Sequence, residues 1–180
     1  MMKNSIYKGG LDVEIIELFK QTFTDSEGEN EGKLISKLVK RFLEYTSKEN
    51  IRVFITTNDD QLVGGVIFSR LTFDESEVDT WILSPAAVAT SMQGTGLGQE
   101  LINYSHEFLK NEGVKQVVTY GDINFYSKVG YKPITEDVIP SPLKLTYPEG
   151  WIAQSLEGIE LKPIKGKAYC VQALNAPELW

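Results

Sequence analysis

An apolar run at residues 81–89 leads into the hexapeptide Gln93-Gly94-Thr95-Gly96-Leu97-Gly98. That turn opens an amphipathic stretch over residues 97–111, and a β-branched run follows at 114–120. Strand, glycine turn, helix, strand is a crossover unit, which sets its two strands parallel in one sheet. The same turn has a chemical consequence. A glycine-rich segment at a helix start directs several unpaired backbone N–H groups at one point. The helix dipole adds partial positive charge there, so the turn is a ready site for an anion, most often phosphate.

Spacing narrows the ligand. A dinucleotide fingerprint needs G-x-G-x-x-G, and Gln99 stands where the third glycine belongs. A P-loop ends in Gly-Lys-Ser/Thr, and the turn has neither the lysine nor the hydroxyl at those positions. What remains is Q-x-x-G-x-G after a strand.

The elements before the crossover are helical and then β-type. Leu11, Ile15, Leu18, Phe19 and Phe23 recur at helical spacing, a polar stretch over 24–32 reads as a loop, and Leu34, Ile35, Leu38, Val39, Phe42 and Leu43 form a second apolar face. Residues 51–57 and 62–71 read as strands around the turn at 58–61, and 78–90 reads as a third strand of a meander. Beyond residue 120, Asp122 is placed to N-cap a short helix that Gly130 ends. Short strands are expected at 131–137, 143–147, 152–156 and 167–174, between prolines. The order predicts an α+β fold with a mixed sheet rather than a doubly wound one, in a single domain over 1–180.

Composition excludes several classes. The single cysteine, Cys170, allows no internal disulfide and reads as a packed strand residue. The single histidine, His106, falls away from the Leu101/Phe108 stripe and is expected in solvent. One His and one Cys leave no ordinary zinc set and no Ser-His-Asp signature, so no metal is expected. The formal net charge of −7 argues against nucleic acid, whose binding relies on clustered Lys and Arg. With no apolar run of membrane-spanning length and no signal-like N-terminal segment, the expectation is a cytoplasmic protein without membrane contact. Oligomeric state is not legible.

Two further features bear on function. Pro85 lies inside the third meander strand, where proline cannot donate to a ladder, so a local break is expected there. Exposed backbone at such a break can pair with an extended ligand. Downstream stands Gly121-Asp122-Ile123-Asn124-Phe125-Tyr126-Ser127-Lys128-Val129-Gly130-Tyr131, a capped helix carrying an aromatic-Tyr pair and ending at Gly-Tyr.

The Q-x-x-G-x-G turn and this second segment together resemble the GNAT superfamily of N-acetyltransferases, over about residues 51–133. The resemblance implies a mixed, mostly antiparallel central sheet with a splayed parallel strand pair flanked by helices. It implies acetyl-CoA as co-substrate, held through its pyrophosphate by Gln93, Gly94, Thr95, Gly96, Leu97 and Gly98. Val88 and Ala89 are implied to align the pantetheine arm, and Asn124 to contact it. Tyr126 is implied to protonate the departing thiolate. A phenol with an ordinary pKa of about 10 holds its proton at neutral pH and can serve so; the plain alternative is a packing tyrosine.

The implied activity is acetyl transfer to a primary amine, borne by a small molecule or a peptide, by direct attack in a ternary complex. A non-catalytic acyl-CoA-binding sensor or regulatory module is the alternative. One departure supports that alternative: many members carry a glutamate midway along the fourth strand as general base, and residues 80–90 contain no Asp or Glu. Asp79 stands at the strand start, and Ser84 could pass a proton through water. Asp25, Glu27, Glu29 and Glu31, like Asp74, Glu75 and Glu77, read first as solvated faces, although an acidic rim would also attract a protonated amine. Phe73, Trp81 and Trp151 fit core packing and an acceptor pocket equally.

Overall fold

The computed structural model describes residues 1–180. Strand β1, Met2–Ile6, precedes two helices, α1 (Asp12–Glu27) and α2 (Glu29–Tyr45). The helices bury the faces that their spacing predicts: Ile15 and Phe19 on α1, and Ile35, Leu38, Val39 and Phe42 on α2. The polar stretch expected as a loop over 24–32 is instead helical except for Gly28, which turns the chain at φ 99°. Its acidic residues suit the start of α2, where Glu29 faces the positive end of the helix dipole and pairs with Lys33 at 3.0 Å.

A meander follows: β2 (Ile51–Asn58), β3 (Gln61–Phe73) and β4 (Thr80–Val88). Asp59 and Asp60 both take positive φ, as a tight hairpin turn between β2 and β3 requires. Helix α3 (Leu97–Asn111) then crosses to β5 (Gln116–Tyr120). The remaining elements are short: α4 (Ile123–Tyr126), β6 (Lys132–Pro133), β7 (Trp151–Ser155) and β8 (Ala168–Tyr169).

The strands are ordered β1-β2-β3-β4-β5-β7-β6, with β8 on β3. β1 pairs antiparallel with β2, β8 with β3, and β7 with both β5 and β6. β4 and β5 are the parallel pair, in the register Thr80↔Gln116, Trp81↔Val117, Ile82↔Val118 and Leu83↔Thr119. This is the mixed α+β sheet that the crossover demands. The parallel ladder ends at Leu83, two residues before Pro85, so the break read from the proline falls where pairing with β5 stops.

Two compact units make up the chain, each from two segments: Met1–Phe68 with Pro85–Ser105, and Ser69–Ser84 with His106–Trp180. The core of the first includes Ile15, Phe19, Phe42, Phe54, Ile67 and Leu101; that of the second includes Trp81, Val117, Val118, Tyr131, Trp151 and Ile152.

Other expectations change as well, and the strand expected over 167–174 is reduced to Ala168–Tyr169, with a 3-10 turn at Gln172–Leu174. No strand forms at 143–147; hemmed by Pro140, Pro142 and Pro148, this stretch buries Leu145 from an irregular chain. The strand expected over 131–137 shrinks to Lys132–Pro133. Cys170 lies just past β8, half-buried, and burial pushes its thiol pKa up. No helix is long and apolar enough to cross a membrane.

Candidate active site

The glycine turn belongs to the first unit. Gly94 and Gly96 take φ of 76° and 85°, a left-handed region that side chains rarely adopt, and a Cβ built on either would meet no atom within 4 Å. The turn therefore presents backbone to open space. Gln93, Gly94, Thr95 and Gly96 are exposed, whereas Leu97 is buried. Thr95 Oγ1 donates to Met92 O at 2.6 Å and holds the turn's curvature. At the helix start, the Glu100 N–H bonds Gly96 O at 3.1 Å, so the amides of Leu97, Gly98 and Gln99 precede the first helical bond. An anion at this point would meet those amides and the positive end of α3.

What sets this helix end in place is Gly64 on β3. A Cβ there would stand 2.8 Å from Leu97 Cδ2 and 3.4 Å from Leu101 Cδ2. Only a residue without a side chain admits α3 so close, a requirement that sequence reasoning passed over.

Val88 and Ala89 end β4 with different backbone commitments. Ala89 N–H donates to Val63 O at 2.8 Å and Ala89 O accepts from Met92 N–H at 2.8 Å, so both its groups are engaged. Amides of an antiparallel strand alternate between its two sides. The Val88 N–H therefore points away from β3. The Val88 carbonyl accepts from Gln93 Nε2 at 3.1 Å and from Thr22 Oγ1 at 3.4 Å, which ties the glycine turn to the strand.

Tyr126 and Asn124 lie in the second unit, on α4. Asp122 caps this helix by accepting from Asn124 N–H at 2.9 Å, as its position predicts, and Gly130 ends the segment in the left-handed conformation. Asn124 is exposed and Tyr126 half-buried. The Tyr126 ring packs edge-to-face on Phe125 and Tyr131, with centroids 5.0 and 5.5 Å away. A Cβ on Gly121 would come within 2.8 Å of Tyr126 Cε2, so this glycine makes room for the ring. Burial pushes the phenol's pKa up to about 12, and the neighbouring Thr119 side chain acts in the opposite direction. Tyr126 thus holds its proton across the physiological range.

His106 is not solvated. It is buried, and its Nε2 lies 3.0 Å from the Tyr131 hydroxyl. Burial lowers its pKa to about 4, so the ring is neutral at pH 7, and burial likewise raises that of Tyr131. The reason is the helix face: Leu101, Ile102, Ser105, His106 and Leu109 are buried, while Phe108 is only half so. Ile102 and Leu109, four residues before and three after His106, carry the signal that a stripe drawn through Leu101 and Phe108 missed.

No carboxylate stands midway along β4. Asp79, at its start, accepts from the Arg70 guanidinium at 2.7 Å and from Trp81 Nε1 at 3.0 Å. Phe73, Trp81 and Trp151 are all buried core residues, and Trp151 Nε1 donates to Ile139 O at 2.8 Å. Among the acidic residues, Asp25 accepts from Thr90 Oγ1 at 2.7 Å and Asp74 from Lys167 N–H at 2.7 Å. In the second unit a cavity of about 340 Å³ is lined by Tyr120, Gly121, Asp122, Tyr147, Glu149 and Gly150, among others.

Residues 49–133 match the family model described as an acetyltransferase (GNAT) domain. The chain is 31% identical over 125 residues to YjhQ, an uncharacterized N-acetyltransferase of Escherichia coli K12, covering 66% of this chain and 68% of that protein. Its fold matches a GNAT family acetyltransferase from Brucella melitensis, solved in complex with acetyl-CoA, with a TM-score of 0.75, 19% identity, and coverage of 97% and 99% of the two chains. It also matches YhbS of Escherichia coli, solved in complex with CoA, with a TM-score of 0.79, 19% identity, and coverage of 97% and 92%.

Proposed function

The chain belongs to the GNAT superfamily of N-acetyltransferases, and from that premise we propose that it moves the acetyl group of acetyl-CoA to a primary amine by direct attack. The observation that carries this reading is the open turn at the start of α3. Gly94 and Gly96 have no atom within 4 Å of a Cβ position, so the backbone of Gln93 to Gly98 can close on a pyrophosphate. Complexes of similar folds with acetyl-CoA and CoA support the same ligand.

On this reading each residue has a task. The Gly94, Thr95, Gly96, Leu97 and Gly98 amides hold the pyrophosphate, and Gln93 braces the turn against Val88 O. The Val88 N–H, directed away from β3, aligns the extended pantetheine arm. Ala89, with both backbone groups engaged, keeps that end of β4 in register. Asn124 contacts the arm. The acetyl-CoA thioester supplies an activated acyl group. Tyr126 gives its proton to the departing sulfur. Since β4 bears no carboxylate and Asp79 is bound to Arg70, the acceptor amine enters in its neutral form and sheds its proton to water. The acceptor class stays broad: small polyamines, aminoglycosides, amino acids and peptide N-termini all carry the required nitrogen.

Calorimetric titration with acetyl-CoA tests the reading. Wild type should bind, and Gly96→Trp, which fills the cradle, should not, with melting curves showing that the variant is folded. No binding by wild type at millimolar ligand would remove the proposal. Binding without turnover of any amine would favour the non-catalytic sensor.

A further inference from the structure

The connection from β4 to α3 carries the glycine turn, and little packing holds it. Thr90, Ser91, Gln93, Gly94, Thr95 and Gly96 are exposed, and Met92 is half-buried. A segment with so few buried contacts opens readily unless hydrogen bonds restrain it. Local bonds give it shape: Met92 N–H donates to Ala89 O at 2.8 Å, Gln93 N–H to Thr90 O at 3.3 Å, and Thr95 Oγ1 to Met92 O at 2.6 Å. Bonds of this kind fix curvature. They do not fix where the turn stands relative to the rest of the first unit.

Helix α1 supplies that anchor. Thr90 Oγ1 donates to Asp25 Oδ2 at 2.7 Å, and Gln21 Nε2 donates to Asp25 Oδ1 at 2.7 Å. Gln21 and Asp25 are four residues apart on α1, so the amide steadies the carboxylate from its own helix. Both carboxylate oxygens are engaged. Thr22, three residues before Asp25 and on the same side of α1, donates to Val88 O at 3.4 Å. The helix thus grips the connection on either side of Ala89. Charge alone gives no reason for a carboxylate here. Its partner Thr90 stands three residues before Gln93, and no Lys or Arg occurs between Arg70 and Lys110 to offset it. A negative charge beside an anion site opposes the ligand.

We infer that Asp25 is a positioning residue for acetyl-CoA binding: it pins Thr90 to α1 and so holds the turn of Gln93 to Gly98 open before the ligand arrives. The inference rests on the proposed role of that turn in holding the pyrophosphate. Ordering the turn in advance lowers the entropy lost on binding. Anchoring and charge predict opposite signs. Removing a carboxylate beside an anion site tightens binding if charge dominates. Removing an anchor weakens it.

The test is calorimetric titration with acetyl-CoA of Asp25→Ala, Asp25→Asn, Thr90→Val and the double variant Asp25→Ala/Thr90→Val. Asp25→Asn deletes the charge and keeps an oxygen that can accept from Thr90. In Asp25→Ala and Thr90→Val, Kd should rise about fivefold, the scale of an exposed hydrogen bond to a charged group. The double variant should bind no more weakly than either single one, and Asp25→Asn at least as tightly as wild type. KM for acetyl-CoA should rise with Kd while kcat at saturation holds. Independently of binding, the amide proton and nitrogen shifts of Gly94 and Gly96 in the ligand-free protein should move in Asp25→Ala and Thr90→Val. Tighter binding by Asp25→Ala, additive losses in the double variant, or unmoved Gly94 and Gly96 shifts would overturn the inference while leaving the turn as the pyrophosphate site. Failure of wild type to bind acetyl-CoA would instead remove that reading and this inference with it.

Discussion

His106 Nε2 and the Tyr131 hydroxyl are hydrogen-bonded at 3.0 Å with both rings buried, and Tyr131 packs edge-to-face with Tyr126. The only imidazole of the chain therefore supports the segment that carries the proposed acid, in a neutral form.

That neutrality predicts acid sensitivity. The folded-state pKa of His106 is lowered to about 4 by burial, against about 6.5 in the unfolded chain. Between these values the unfolded state binds the extra proton, so stability falls as pH drops through that window. The contribution is complete above the unfolded value and is on the order of 3 kcal/mol over the full window. Melting curves from pH 7.5 to 4.5 should fall more steeply for wild type than for His106→Gln. Parallel curves would show that His106 does not titrate in this way.

Removing the Tyr126 hydroxyl should separate chemistry from binding. Tyr126→Phe is expected to lower kcat by about 100-fold, within the range for general acids, with the calorimetric affinity for acetyl-CoA within about twofold of wild type. Unchanged turnover would return Tyr126 to a packing role.

Gly64 should tolerate no side chain. A Cβ there would press Leu97 Cδ2 at 2.8 Å, and overpacking of this kind costs about 1–3 kcal/mol. Gly64→Ala should lower the melting temperature. Displacing the start of α3 should also weaken acetyl-CoA binding, which a surface glycine replacement such as Gly158→Ala would not do. Equal affinity in both variants would dissociate β3 packing from the turn.

Gly121→Ala should act on Tyr126 alone. The added methyl would meet Tyr126 Cε2 at 2.8 Å and tilt the ring. We expect about a tenfold loss of kcat, since small misplacements of reacting groups are costly, with acetyl-CoA affinity retained. Wild-type kcat would mean that the ring adapts.

Much of this was legible because it is local. The glycines at 94 and 96, the cap at Asp122, the left-handed Gly130 and the proline in β4 are short-range backbone requirements, each written in one or two residues. The crossover through α3 fixed the parallel pair by chain connectivity alone, and hydrophobic spacing placed both N-terminal helices. Where the readings failed, the deciding partner was distant in sequence. His106 is buried by Tyr131, 25 residues away, and residues 143–147 form no strand because apolar alternation does not supply a ladder partner.

Gly64 and Gly121 carried no signal of their own. A glycine shows that a side chain is unwelcome without showing what would collide with it. Pattern along the chain selects the elements and the turns, because backbone conformation answers to neighbouring residues. The burial of the lone histidine against Tyr131 and the close approach of α3 to β3 depend on groups that meet only after the sheet has assembled.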